Sequence, residues 1–103
     1  MALNWLGDES WTPKILAGAK KDLDELPDPV RREALQMLAD LLEDPYPPNL
    51  EEARMKGYRN RYRLYFYRDR YRFIYEIAEQ QRTVRVLRVR LRDRYTYSGM
   101  RKW

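Results

Sequence analysis

The sequence predicts an α+β domain in which an N-terminal strand and a helical hairpin pack on an antiparallel sheet. Apolar residues recur at three- and four-residue spacing up to about residue 43, as they do on helices that bury one side. From about residue 58 they alternate with polar residues, as they do on strands that bury one face. A chain of 103 residues can build one core, so we expect a single domain over residues 1–103.

An edge strand and a short helix are predicted after a loose lead-in over residues 1–10. Residues 11–17, with the sequence WTPKILA, are the candidate first strand. Pro13 has no backbone N–H to donate to a neighbouring strand, so we expect this strand at an edge of the sheet. Apolar side chains at helical spacing then predict a short helix over residues 18–26.

A second helix is predicted from Asp28 to about residue 43. Asp28 suits the N-cap, where its carboxylate accepts a backbone N–H, and Pro29 suits the first helical position. The apolar stripe of this helix is expected to face the core. The run DPYPP at residues 44–48 is expected to end the helix and to form a rigid loop.

Three antiparallel strands joined by short turns are predicted over residues 62–67, 71–78 and 83–92. The alternation places the Leu, Phe and Val side chains on the face that packs on the helices, and in the last strand these are Leu87, Val89 and Leu91. The opposite face is then expected to present one tyrosine and five arginines together, namely Arg63, Tyr65, Arg72, Arg88, Arg90 and Arg92.

Charge is strongly segregated along the chain. Residues 1–53 carry 5 basic and 12 acidic side chains, a net charge of −7, whereas residues 54–103 carry 16 basic and 4 acidic ones, a net charge of +12. Such segregation indicates a polyanionic partner for the second half; a solvated basic face without a partner is the alternative. Eight of the nine tyrosines also follow residue 54. Because arginine grips phosphate and tyrosine stacks on unpaired bases, single-stranded RNA fits better than a duplex.

Composition excludes or disfavours several other classes of function. The chain has no cysteine and no histidine, so disulfides and thiolate metal sites are excluded and the commonest general base is missing. We expect no metal and no cofactor, because the few acidic residues of the basic half are too scattered for a two-metal nuclease. The sequence shows no secretory signal and no run of 18 apolar residues, so we expect a cytoplasmic protein without a membrane partner.

Four short motifs accompany the order strand, helix, helix and three strands. They are KG at residues 56–57, YRL at 62–64, YRFIYEI at 71–77 and RDRY at 92–95. Together they resemble the RelE/ParE superfamily of toxins from type II toxin–antitoxin systems, and the RelE branch in particular. The resemblance spans roughly residues 14–97. It implies a RelE-like β-α-α-β-β-β fold and a cognate antitoxin protein as partner, which would cover the basic face.

The resemblance also implies a reaction, namely metal-independent cleavage of mRNA in the ribosomal A site, which inhibits translation. In RelE-type toxins a ribose 2′-OH attacks the neighbouring phosphate and leaves a cyclic phosphate end. By position, Arg63, Arg72 and Arg92 correspond to basic residues of the family's site. Arg72 would hold the scissile phosphate, and Arg92 would stabilise the phosphate or the leaving group. Tyr65 stands where the family has a lysine, and the family's C-terminal tyrosine falls one residue from Tyr97, so Tyr65 or Tyr97 is the candidate for proton transfer.

Further RNA contacts are assigned to basic and aromatic residues outside that set, namely Lys56, Arg88, Arg90 and Tyr95. Two other functions stay open at this point. A ParE-like toxin with the same fold would bind DNA gyrase and perform no RNA chemistry, because a fold does not fix a function. A non-catalytic RNA-binding module would use the sheet as a platform. The arginine and tyrosine array favours the nuclease, since a gyrase binder has no need of it.

Overall fold

The computed structural model describes residues 10–92, which form a four-stranded sheet with helices packed on it. The strands are β1 (Thr12–Ile15), β2 (Arg61–Phe66), β3 (Tyr71–Ala78) and β4 (Thr83–Leu91). The helices are α1 (Ala17–Glu25), α2 (Asp28–Glu43) and the short α3 (Leu50–Ala53). Within this part of the chain, no helix is both long enough and apolar enough to cross a membrane. The predicted α+β class is confirmed, and α3 is an element that the sequence did not predict.

The strands lie in the order β1-β4-β3-β2. β3 pairs with β2 on one side and with β4 on the other, antiparallel in both cases, as short turns between consecutive strands require. β1 instead runs parallel to β4, with Thr12 opposite Thr83 and Ile15 opposite Val86. Pro13 therefore lies in an edge strand, as predicted, and that strand joins the sheet by a parallel pairing.

The helical hairpin is closed by an arginine, and the predicted N-cap is wrong by one residue. α2 begins at Asp28 itself, with Pro27 before it, so Asp28 lies in the first turn and does not cap. Its carboxylate pairs with Arg31 at 2.8 Å. The Arg31 guanidinium also donates to the carbonyl oxygens of Leu23 and Leu26, both at 2.8 Å. The last carbonyl groups of a helix have no partner within the helix. Arg31, in the first turn of α2, supplies hydrogen bonds to such carbonyl groups at the end of α1.

The main core lies between the two long helices and one face of the sheet. The helices, together with Leu26 directly after α1, contribute residues at the predicted helical spacing, namely Ala19, Leu23, Leu26, Val30, Ala34, Leu38 and Leu41. The strands contribute Tyr62, Phe66, Phe73, Tyr75, Ile77, Val84, Val86 and Val89. The buried Tyr75 hydroxyl donates a hydrogen bond of 2.8 Å to the carbonyl oxygen of Pro45. The proline-rich loop after α2 thereby satisfies a polar atom inside the core, as a buried hydroxyl requires.

A β-bulge interrupts the strict alternation of β4. Ile74 lies opposite Arg88, whereas the next residue of β3, Tyr75, lies opposite Val86, so Leu87 is the extra residue of β4. Leu87 consequently leaves the main core and packs with Met55 and Ile74 in a second, smaller apolar cluster. The prediction that Leu87, Val89 and Leu91 share the core face is therefore wrong for Leu87. Leu91 does lie on the same face as Val89, opposite Tyr71, but at the end of the strand it is 55% exposed.

Alkaline pH is expected to destabilise the fold through two tyrosines. The Tyr46 hydroxyl donates to the Glu79 carboxylate, and this hydrogen bond raises the pKa of Tyr46 from 10.0 to about 12. Burial raises the pKa of Tyr75 as well. A group whose pKa is raised on folding stabilises the folded state below its unfolded pKa, and this contribution is lost as pH rises through the folded pKa. We therefore expect the free energy of unfolding to fall as pH rises from 10.0 to about 12.

Denaturant unfolding over that pH range measures the effect, and Tyr46→Phe provides the matched control. The variant lacks the ionisable group, so its unfolding free energy should fall less steeply than that of the wild type. The difference in phenolate absorbance between the two proteins should also titrate well above the usual range for tyrosine. Parallel pH profiles for the two proteins would contradict the assignment to Tyr46.

Candidate nucleic-acid interface

Residues far apart in the sequence meet where β2 ends, β3 begins and β4 ends. The antiparallel register places Tyr65 of β2 opposite Arg72 of β3, and Arg72 opposite Arg90 of β4. These three side chains therefore form a row across the sheet on the face opposite the main core. Tyr65 and Arg90 are exposed, and Arg72 is half-buried between them. The row therefore exposes positively charged groups to solvent from the backbone of a paired sheet.

The ring of Tyr65 is surrounded by three guanidinium groups. The guanidinium carbon of Arg92 lies 4.5 Å from the ring centroid, and those of Arg63 and Arg72 lie at 5.7 and 5.8 Å. All three distances are within the range of cation–π contact. We call these four residues the Tyr65 cluster. The three arginines that the family resemblance singled out are thus brought together around Tyr65, the residue that the resemblance aligns with a lysine of the family.

The ring at the centre of the Tyr65 cluster is accessible. Tyr65 is 36% exposed, and within residues 10–92 its hydroxyl makes no hydrogen bond. Next to it lies a depression of about 170 Å³, lined by Arg63 and Tyr65 on one side and by Pro47, Asn49 and Glu52 on the other. Arginines can bind phosphate oxygens through two hydrogen bonds, and a tyrosine hydroxyl can transfer a proton or stack on a base. The arrangement is therefore suited to bind a phosphodiester and to act on it.

Arg88, which the alternation assigned to the RNA-binding face, holds a helix to the sheet. Its Nε and Nη2 donate to the two carboxylate oxygens of Asp22 on α1, at 2.8 and 3.1 Å. Asp22 is 8% exposed and also accepts the Val89 backbone N–H at 2.9 Å. These hydrogen bonds, outweighing burial, raise the pKa of the Arg88 guanidinium. Arg88 is thus committed to a partly buried ion pair and is not part of the Tyr65 cluster.

The other residues predicted to contact RNA lie outside the Tyr65 cluster or outside the described residues. Arg90 lies beside Arg72 in the cross-strand row and is exposed. Lys56 is exposed in the turn that precedes β2, and no contact joins it to the Tyr65 cluster within residues 10–92. Tyr95 and Tyr97 lie outside the described residues, so the RNA contact of Tyr95 and the proton-transfer role of Tyr97 stay predictions.

A second charged group on the same face was missed by the sequence reasoning. Glu76 of β3 bridges Arg61 of β2 and Arg85 of β4, with N–O distances of 2.9 and 3.0 Å. The three residues are cross-strand neighbours, so a register built outward from the short turns could have found them. The apolar cluster of Ile74 and Leu87 lies between this group and the Tyr65 cluster along the strands. The predicted basic face is therefore divided, and one end of it is partly neutralised by Glu76.

Comparison with known proteins identifies the family. The model of a family described as the ParE toxin of the type II toxin–antitoxin system parDE matches residues 14–95. The chain belongs to the RelE/ParE superfamily of type II toxins. The match covers most of the sequence, including both long helices and every strand residue of the sheet from Lys14 onward.

Solved structures of RelE toxins share the fold of this toxin. The intact E. coli RelBE toxin–antitoxin complex contains a chain with a TM-score of 0.72 and 22% identity, covering 82% of this chain and 100% of that chain. The isolated E. coli RelE toxin gives 0.71 and 23%, covering 90% and 97%. The archaeal RelE–RelB complex from Pyrococcus horikoshii OT3 gives 0.63 and 23%, covering 82% and 98%. At these identities the likeness shows the fold alone. Among curated protein sequences, none matches the chain.

Proposed function

We propose that this toxin is a ribosome-dependent mRNA endonuclease that needs no metal and inhibits translation in the cytoplasm. The observation that carries the proposal is the Tyr65 cluster, in which three arginines surround one accessible tyrosine. Substrate binding alone would be served by scattered cations. The convergence of Arg63, Arg72 and Arg92 on one hydroxyl-bearing ring instead supports chemistry at a single phosphodiester.

The proposed reaction is transfer of a phosphodiester within one strand of RNA. The 2′-oxygen of a ribose attacks the adjacent phosphorus, the bond from phosphorus to the 5′-oxygen of the next nucleotide breaks, and a 2′,3′-cyclic phosphate remains. Arg72 and Arg63 would bind the non-bridging oxygens, on which negative charge grows in the transition state. Arg92 would stabilise the departing 5′-oxygen. Tyr65, with Tyr97 as the alternative group, would transfer to the 5′-oxygen the proton that the 2′-hydroxyl loses, so that the 5′-oxygen leaves as a hydroxyl.

The ribosome has a defined part in this proposal. Among residues 10–92, the Tyr65 cluster supplies cations and a hydroxyl on a sheet face that borders a small depression and is not enclosed by a cleft. An open face does not by itself align a ribose 2′-OH with the bond to be broken, and alignment contributes a large part of the rate of such reactions. A message held in the ribosomal A site would arrive already oriented. Free RNA should therefore be cut poorly.

A cognate antitoxin is the second proposed partner. Its presence is supported by the family, which consists of toxins of type II toxin–antitoxin systems, and by the solved RelBE and RelE–RelB complexes. The net charge of +12 over residues 54–103 favours fast binding to an acidic segment. An antitoxin that covers the Tyr65 cluster would block the site directly.

Inhibition of DNA gyrase is the second candidate function. The observation that favours it is the match to the ParE toxin model over residues 14–95. Against it stands the Tyr65 cluster, because binding a protein surface does not require three arginines converging on one ring. The two functions predict different cellular targets and are separated by measuring both.

Expression of the toxin in growing cells, followed by mapping of mRNA 5′ ends, tests the proposal. We expect new 5′ ends within translated reading frames, in one position relative to the codon, and none in messages whose start codon is removed. A supercoiling assay with purified gyrase runs beside it and should show no inhibition. Intact translated messages together with inhibited supercoiling would replace the proposed function by the gyrase alternative.

A further inference from the structure

The turn between β2 and β3 holds three consecutive residues in a strained backbone conformation. Tyr67, Arg68 and Asp69 have φ angles of 52°, 59° and 61°, in the left-handed region that glycine adopts easily and other residues avoid. A run of three such residues without a glycine persists only where the surrounding structure enforces it, and such strain is found preferentially at functional sites. The contacts of this turn show what enforces it.

A carboxylate from the helical layer holds the turn at its first residue. Glu33 of α2 accepts the backbone N–H of Tyr67 at 2.6 Å, although the two residues are 34 positions apart in the sequence. A hydrogen bond from a backbone N–H to a carboxylate is charge-assisted and stronger than one between neutral groups. The Tyr67 ring packs edge-on against Tyr71, with centroids 6.1 Å apart. Tyr67 is therefore held through its side chain as well as through its backbone.

The turn is linked through the backbone to two members of the Tyr65 cluster. Arg70, the last turn residue, donates its N–H to the Tyr67 carbonyl and accepts the N–H of Arg92 at 2.7 Å. This last bond extends the pairing of β3 and β4 to Arg92, whose guanidinium lies over the Tyr65 ring. Tyr65 itself lies two residues before Tyr67, near the end of β2. The turn therefore connects the backbones of Arg92 and Tyr65, in addition to the pairing of the strands.

We propose that Glu33 is a positioning residue for the cleavage reaction. Its carboxylate holds the β2–β3 turn in the strained conformation. The turn then places Arg92 against Tyr65. Within residues 10–92, Glu33 makes no hydrogen bond or ion pair with any member of the Tyr65 cluster, so its effect is transmitted through the backbone. This inference rests on the proposed function, since the effect it predicts is on the rate of RNA cleavage.

Charge and hydrogen bonding make opposite predictions for this position. Loss of a negative charge beside a basic site would by itself favour binding of a polyanion. Loss of the hydrogen bond would instead release the turn and lower the rate. Two conservative variants separate the two effects. Glu33→Gln removes the charge and keeps an oxygen acceptor at the same reach, whereas Glu33→Asp keeps the charge and withdraws the acceptor by one methylene.

The experiment measures single-turnover cleavage of mRNA on saturating purified ribosomes by the full-length toxin. We expect Glu33→Asp and Glu33→Ala to lower the rate by about ten- to a hundredfold, as small displacements of catalytic groups do. Glu33→Gln should keep most of the rate. Glu43→Ala, an exposed glutamate on the same helix, is the matched control and should behave as the wild type. Affinity for the ribosome should change little in any of the variants, so the loss appears in turnover.

A second readout follows the backbone directly and does not depend on activity. Hydrogen exchange at the Tyr67 and Arg92 amides should accelerate in Glu33→Asp and stay near the wild-type rate in Glu33→Gln. Thermal unfolding of each variant sets a temperature at which all remain folded. A rate that follows charge and not the acceptor, or Arg92 exchange that is unchanged in Glu33→Asp, would overturn the inference alone. If the wild-type toxin leaves the message intact, the proposed function fails and the inference fails with it.

Discussion

Replacement of Arg72 by alanine should lower the rate of ribosome-dependent mRNA cleavage by about 10²- to 10³-fold, the usual effect of removing one preorganised donor from a developing negative charge. Arg72 is central in the candidate site because it lies on β3, between β2 and β4 and opposite both Tyr65 and Arg90. Its side chain is half-buried, and its guanidinium carbon lies 5.8 Å from the centroid of the Tyr65 ring, so it would face a phosphate bound in front of Tyr65. Arg72→Lys should lose most of the rate as well, since a lysine cannot form two parallel hydrogen bonds.

The control for this prediction is Arg59→Ala. Arg59 is an exposed arginine in the bend before β2, so its removal changes the net charge equally but leaves the Tyr65 cluster intact. Single-turnover cleavage on programmed ribosomes, with circular dichroism to verify folding, compares the two variants. Equal losses for Arg59→Ala and Arg72→Ala would show that the arginines contribute only general charge, and the proposed role of Arg72 would be wrong.

Replacement of Asp22 by alanine should give the largest loss of stability, about 3 kcal/mol, as expected when one partner of a buried ion pair is removed. Asp22 accepts three hydrogen bonds, two from Arg88 and one from the Val89 backbone N–H. The variant would lose all three hydrogen bonds and would leave the buried Val89 N–H without this acceptor. We place the effect at the lower end of the usual range because the Arg88 side chain keeps 22% of its exposure and some access to water.

Urea unfolding of the full-length toxin measures this change in the free energy of unfolding. Asp24→Ala is the control, because Asp24 is an exposed acidic residue on the same helix. The control should change stability by less than about 0.5 kcal/mol, as surface substitutions usually do. A double variant that also replaces Arg88 should be less unstable than the two single losses predict, since the residues interact directly. Additive losses would contradict a direct ion pair.

The fold could be predicted because local patterns decide most of it. Helical spacing placed Leu23 and Leu38 in the core, and alternation placed Phe66 and Phe73 there. Alternation was also sufficient to place Arg63, Tyr65 and Arg72 on the opposite face of the sheet, because β2 and the start of β3 contain no irregularity. The convergence of these residues on one ring follows from the antiparallel register that short turns impose.

What the sequence could not predict depends on single-residue irregularities and long-range contacts. The bulge at Leu87 shifts β4 by one residue, and no glycine or proline marks it. The ion pair of Arg88 joins residues 66 positions apart. One signal for it was present: Asp22 falls at helical spacing with Ala19 and Leu26, so a carboxylate lies on the apolar stripe of α1. A buried carboxylate needs a partner, and the partner had to come from the sheet.

The strained turn was equally beyond the reach of local patterns. Residues 67–69 read YRD, which contains no glycine to mark a left-handed conformation. The sequence predicted a short turn there, and that prediction is confirmed. Its geometry depends on Glu33, which lies on a helix that sequence reasoning treated only as a cover for the sheet.

The most direct test of the central claim uses ribosomes programmed with a message of defined A-site codon. The ribose that precedes the cut is replaced by a 2′-deoxyribose in a second message. We expect wild-type toxin to cut the all-ribose message once in that codon and to leave a 2′,3′-cyclic phosphate, while the deoxy-substituted message stays intact at that bond. Cleavage of both messages at equal rates would contradict attack by the 2′-oxygen, and an uncut all-ribose message would contradict the nuclease function itself.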